Sequence, residues 1–142
     1  MEPGVYILLL SGEITSLKIG SLGMVSFTSG FYCYVGSALG SGGLARVTRH
    51  IRVAAHGGKK PRWHIDHLLM SPAFRLNRVY CAPTSERLEC PLAQALSLAI
   101  IPGFGSSDCQ CIGHLFYSAH DPHPSILNGF EAVALQPAIR IL

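Results

Sequence analysis

Charge is scarce in this sequence. Asp, Glu, Lys and Arg make up 13% of its 142 residues, where an ordinary soluble domain carries about 25%. So thin a charged surface implies either a large core or apolar surface covered by a partner or a second copy, which makes a homodimer an expectation. Long apolar runs are lacking too. Nothing approaches the ~18–20 residues of a membrane span, so no membrane partner is expected. The opening MEPGVYILLL has an acid where a secretory leader has basic residues, and its apolar run is short. A cytoplasmic chain is the expectation, with its five cysteines kept reduced for packing, a metal or catalysis rather than for disulfides. No repeat and no linker-like stretch stands out. Residues 1–142 therefore read as one domain, with a core over about residues 4–100 and a loop-rich extension, 102–142, packed on it.

What is present begins with β-type runs. Residues 4–10, 14–19, 24–27 and 31–35 read as strands, with Ser11-Gly12 as a turn, and suggest an antiparallel meander. Residues 36–43 are rich in glycine and serine. Residues 44–55 then carry helical spacing, with Leu44, Val47, Ile51 and Ala54 on one face and Arg46, Arg49, His50 and Arg52 on the other. Gly57-Gly58 closes that helix. A short helix over 63–70, with a strand as the competing reading, precedes a strand over 75–81 and a helix running to about residue 101. Beyond Pro102 the chain is loop-rich, with one strand over 114–118, and the apolar tail from residue 126 takes no assignment. The order predicts an α+β fold, one layer of helices on an antiparallel sheet.

Several constellations could carry chemistry. A strand that ends in a glycine-rich turn and enters a helix leaves backbone N–H groups and a positive dipole end for an anion, with Gly36, Ser37, Gly43 and Arg49 placed to meet it. The stretch lacks the frame of a dinucleotide fingerprint and the G-K-[ST] of a P-loop. Arg46 and His50, four apart, can share a face, the arginine forking a phosphate and the histidine orienting it or moving a proton. A plain solvated basic face competes with that reading. Tyr6 and Tyr34 lie in β-runs that could pair and bring their hydroxyls together, or they could simply bond at the core's rim. Glu89 stands among apolar neighbours in LECPLAQAL, where a carboxylate needs a partner, a proton or a metal; an acid stabilising a helix start is the bland alternative.

Taken in order, Gly4-Val5-Tyr6, Tyr34-Val35-Gly36, Arg46-x-x-x-His50 and the helix-borne Glu89 resemble the GIY-YIG nuclease superfamily. YVGSALGSGGLARVTRH, PRWHIDHLL and PGFGSSDCQCIGHLFY resemble one branch of it, sometimes fused to endonuclease III-type DNA glycosylases. The resemblance implies a small three-stranded antiparallel sheet flanked by helices, here with an extra N-terminal hairpin between the two triplets. It also implies a DNA endonuclease, with a link to repair and to a glycosylase, that hydrolyses phosphodiesters with one divalent ion, Mg²⁺ or Mn²⁺. By that analogy Tyr6 acts as general base or orients the attacking water and Tyr34 supports it. Arg46 stabilises charge on the scissile phosphate, His50 assists, and Glu89 holds the metal.

Two further signals stand outside that set. Lys60, Trp63 and His64 form a basic and aromatic patch suited to a nucleic-acid backbone with a stacked base, though a solvated loop beside a docked tryptophan explains it as well. His67 could join His64 in gripping a phosphate or metal, with Asp66 orienting a ring. Cys109, Cys111 and His114 could ligate zinc, but C-x-C-x-x-H is tighter than a usual zinc knuckle, and buried free cysteines compete. Two functional readings therefore stand beside the nuclease: a non-catalytic nucleic-acid-binding module, and a zinc-stabilised interaction domain.

Overall fold

The run GVYILLLSG builds the first strand, β1 (Gly4–Gly12), in which every residue but Ser11 is buried. A continuous apolar run of this kind fits a strand covered on both faces rather than one face of a hairpin. The computed structural model describes residues 1–58, 60–105 and 113–142. In it β1 lies in the middle of a six-stranded antiparallel sheet of order β6-β7-β4-β1-β5-β8. Its neighbours are β4 (Gly30–Ala38) and β5 (Phe74–Pro83), and the outer strands are β7 (Leu115–Ser118), β6 (Ala99–Ile101) and β8 (Ala138–Ile141). Strands β2 (Thr15–Lys18) and β3 (Met24–Phe27) form a separate two-stranded hairpin. The N-terminal third is therefore no meander: β1 pairs with β4 and β5, and the hairpin is an insertion between β1 and β4.

Period-two alternation divides the core. Tyr6, Leu8 and Leu10 face one cluster, which includes Val47 and Val53 of helix α1 (Ala45–His56) and Ile65 and Leu68 of α2 (His64–Leu69). Val5, Ile7 and Leu9 face the other, which includes Leu92 of α3 (Glu89–Ala95) and Ile126 and Phe130 of α4 (His123–Ala132). Helices thus cover both faces, giving three layers where one layer of helices was expected. A register shift between Leu9 and Leu10 lets Asn77 of β5 bulge, so that Leu76 and Val79 both reach the first cluster.

Two elements differ from expectation for local reasons. The third helix stops at Ala95, because Ser97 takes a left-handed backbone (φ 55°) and the chain turns into β6. The unassigned tail forms α4 and the edge strand β8. Among the described residues no helix is long and apolar enough to cross a membrane.

Candidate active site

Strand pairing positions the first two groups. Tyr6 stands opposite Gly36, and Tyr34 opposite Leu8, so the tyrosines lie diagonally across β1 and β4 on one sheet face. Gly36 lies within β4, not in a turn. A Cβ there would fall 2.2 Å from Tyr6 Cζ. The glycine is therefore the space in which the Tyr6 ring lies, and its place opposite Tyr6 has a steric cause.

Helix α1 supplies the next groups. Val47, His50 and Val53, three residues apart, form its buried stripe. His50 is 1% exposed and does not share the solvent face with the arginines. Its Nε2 lies 2.7 Å from the Tyr6 hydroxyl. Burial lowers the His50 pKa to about 4, so at neutral pH the ring is uncharged, and its tautomer sets which of the two atoms donates in that hydrogen bond. Burial likewise raises Tyr6 well above its usual range, as does Tyr34, with Arg46 opposing both. Both partners are neutral at rest. Arg46 is exposed, donates to the Ser37 carbonyl at 2.7 Å, and has its guanidinium carbon 5.1 Å from the Trp63 ring centroid.

The backbone at the head of α1 offers little to an anion. The Leu44 N–H donates to the Glu2 carbonyl, and those of Gly43, Ala45, Arg46 and Val47 donate within the turn. Gly43, at φ +53°, packs where a Cβ would fall 2.3 Å from the Glu2 carbonyl oxygen. The expected cradle of backbone amides is thus closed by the protein's own carbonyls, and attraction for an anion falls to side chains.

Arg49 is engaged as well. It makes a two-pronged pair with Asp66, both bonds 2.9 Å, and stacks over Trp63 at 4.3 Å. Asp66 also accepts from the Arg62 and Trp63 N–H groups at the start of α2. Its burial pushes the carboxyl pKa up, but these bonds outweigh burial and hold it below the usual range. Asp66 therefore fixes an arginine and caps a helix rather than orienting a histidine. His64 Nδ1 accepts from the Gly105 N–H at 2.9 Å, and burial, with His67 adding to it, lowers the His64 pKa.

Glu89 begins α3, its side chain 22% exposed, with Oε1 3.2 Å from His114 Nδ1. His114 Nε2 lies 3.8 Å from Cys90 Sγ, and ligand atoms of all three lie within 4.8 Å of one another. Cys90 is disulfide-bonded, which departs from the expectation of thiols throughout and removes its thiolate from any metal set in this state. Cys33 and Cys81 are free, and burial pushes the Cys33 thiol up to about 12. Cys109 and Cys111, two of the three expected zinc ligands, lie outside the described residues.

These groups meet at two hollows. One, of about 180 Å³, is lined by Tyr6, Tyr34, Arg46, Trp63, His64 and Glu89, together with Ser37, Arg62 and Gly105. The second, of about 310 Å³, shares Ser37, Arg46 and Glu89 with it and adds Arg87 and Leu39. Together they make one groove with Arg46 and Glu89 at its middle. His50 backs the groove through Tyr6. Gly36 and Gly43 are buried, and Lys60 is exposed but lines neither hollow. Arg87 and Gly105 escaped sequence reasoning because no motif marks them. His114 was visible only as a zinc candidate, since nothing in a linear pattern pairs it with Glu89.

The family model described as Domain of unknown function DUF123 matches residues 5–135, and the chain belongs to that family. No curated protein and no solved structure matches it.

Proposed function

We propose that this DUF123 chain is a metal-dependent nuclease that hydrolyses phosphodiester bonds, with DNA as the first substrate to test. One observation carries the reading: Tyr6, Tyr34, Arg46 and Glu89, from four separate elements, line one hollow. Its order of residues also resembles that of the GIY-YIG nucleases.

Each group has a task its surroundings suit. Arg46, exposed at the middle of the groove, neutralises the phosphoryl oxygens as charge develops on them. In the tautomer that carries the His50 proton on Nδ1, the Tyr6 hydroxyl donates to Nε2 and turns its oxygen lone pairs to the groove. When the attacking water gives a proton to that oxygen, the tyrosine's own proton passes to His50 Nε2, so no phenolate forms in a buried place. Tyr34 stands beside this pair and orders the water. Glu89 would hold the cation; a carboxylate open to the groove fits Mg²⁺ or Mn²⁺, which accept few protein oxygens and keep their waters. Such an ion, when bound, supplies Lewis-acid stabilisation of the phosphate.

The test is cleavage of branched, flapped and single-stranded DNA by purified protein with Mg²⁺ or Mn²⁺. Glu89→Ala and Arg46→Ala are each expected to lower the rate by about a hundredfold or more. Variants that cleave as well as wild type would overturn the proposal. Salt-sensitive binding that persists in EDTA and never yields product would instead favour a binding module that uses Arg46, Arg62 and Arg87.

A further inference from the structure

His114 is among the most confined side chains of the molecule, 1% exposed. Its backbone is held from two sides: its N–H donates to the Phe104 carbonyl at 2.8 Å, and its carbonyl accepts from Val35 at 2.9 Å. Val35 lies between Tyr34 and Gly36. The strand that presents Tyr34 to the groove therefore also fixes the ring that meets Glu89, through Nδ1 at 3.2 Å from Oε1. Glu89 lines both hollows, whereas His114 lines neither. The His114 ring therefore meets the groove from behind, through Glu89 on its Nδ1 side and beside Cys90, which lines the second hollow, on its Nε2 side.

We infer that His114 is the positioning residue for Glu89, donating Nδ1–H to Oε1 and so fixing the orientation of the carboxylate that receives the cation. The inference rests on the proposed role of Glu89 as metal ligand. A glutamate side chain has several rotatable bonds, and an ordered partner removes that freedom before the ion arrives. Losing such an outer partner typically costs about 10–100-fold in metal affinity or activity. This role differs from a zinc centre on the same ring: here His114 donates a hydrogen bond, where a zinc ligand would offer its lone pair.

The experiment measures Mn²⁺ binding to the metal-free protein by electron paramagnetic resonance, which needs no catalysis. His114→Phe, which fills the space without a donor, should weaken binding about 10–100-fold. His114→Asn, whose amide N–H can stand where Nδ1–H stood, should restore it to within a few-fold of wild type. At saturating Mn²⁺ the turnover of both variants should stay close to wild type. Unchanged affinity in His114→Phe overturns the inference, and so does equal weakening in both variants. Independently of any variant, ¹⁵N spectra of the wild-type ring should show a proton on Nδ1; a ring protonated on Nε2 alone overturns it too. If wild type binds Mn²⁺ and Glu89→Gln binds it equally, the metal reading of Glu89 itself has failed, and this inference falls with it.

Discussion

The sheet carries a tyrosine–histidine pair on each face, one buried and one half-buried, with hydrogen bonds of nearly the same length. On the α1–α2 face the Tyr6 hydroxyl lies 2.7 Å from His50 Nε2; on the α3–α4 face the Tyr80 hydroxyl lies 2.6 Å from His123 Nδ1. Their surroundings differ. Tyr80 also accepts from Arg78 at 3.1 Å, and Arg78 is bound to Asp121, so that network closes on itself and its members line neither groove hollow. Tyr6 borders a groove, with exposed Arg46 and part-exposed Glu89 beside it. The lesson is that a hydrogen-bonded Tyr–His pair is a packing device by default. It becomes a candidate for proton transfer only where an opening and charged side chains stand next to it.

The comparison breaks most sharply under paired substitution. Tyr6→Phe should lower the cleavage rate by about two to four powers of ten, the usual range for loss of a general acid–base group. Tyr80→Phe should leave the rate within about twofold and cost about 1–2 kcal/mol of stability, read by chemical denaturation. Equal rate losses in the two variants would remove the distinction between the faces.

A smaller effect concerns pH. His50 is held near pKa 4 against an ordinary 6.5, so below pH 6.5 the unfolded chain binds a proton that the folded one refuses. Stability should fall as pH drops from about 6.5 to about 4, by on the order of 3 kcal/mol, and His50→Asn should flatten that slope. Asp66, held below its ordinary range, acts in the same direction at lower pH: its contribution is present above the ordinary carboxylate pKa and is lost on further acidification. Denaturation midpoints measured across this range separate the two windows.

The smallest contrast is between two glycines. Alanine at Gly36 would put a methyl 2.2 Å from Tyr6 Cζ, whereas at Gly129 its nearest neighbour is Leu96 Cδ2 at 3.0 Å. Gly36→Ala should cost about 1–3 kcal/mol and displace the tyrosine. Gly129→Ala should stay within about 1 kcal/mol, helix propensity offsetting the tight contact. Thermal melts of the two variants provide the measurement.

The sequence made legible those parts whose pattern is local. The apolar run of β1, the aromatic β4 and the glycine-closed α1 each announce themselves. So does the convergence of Tyr6 and Tyr34, which needs only that their strands pair. What stayed hidden depends on distant partners. The meander reading failed because β1 finds β4 across the inserted hairpin and β5 from much further along the chain. Grouping His50 with the arginines overlooked that it keeps step with Val47 and Val53. The outer strand β8, exposed along its whole length, has no buried face to leave an alternating signature. Arg49 reads in sequence as one more exposed cation, and only the fold shows that Asp66 holds it.

Tyr6 belongs to the strand flanked by partners on both edges and sealed above and below. Such a strand gives up its amide protons only when the whole molecule opens. The hydroxyl at the groove should therefore keep its place through every local fluctuation and be released only when the whole sheet comes apart.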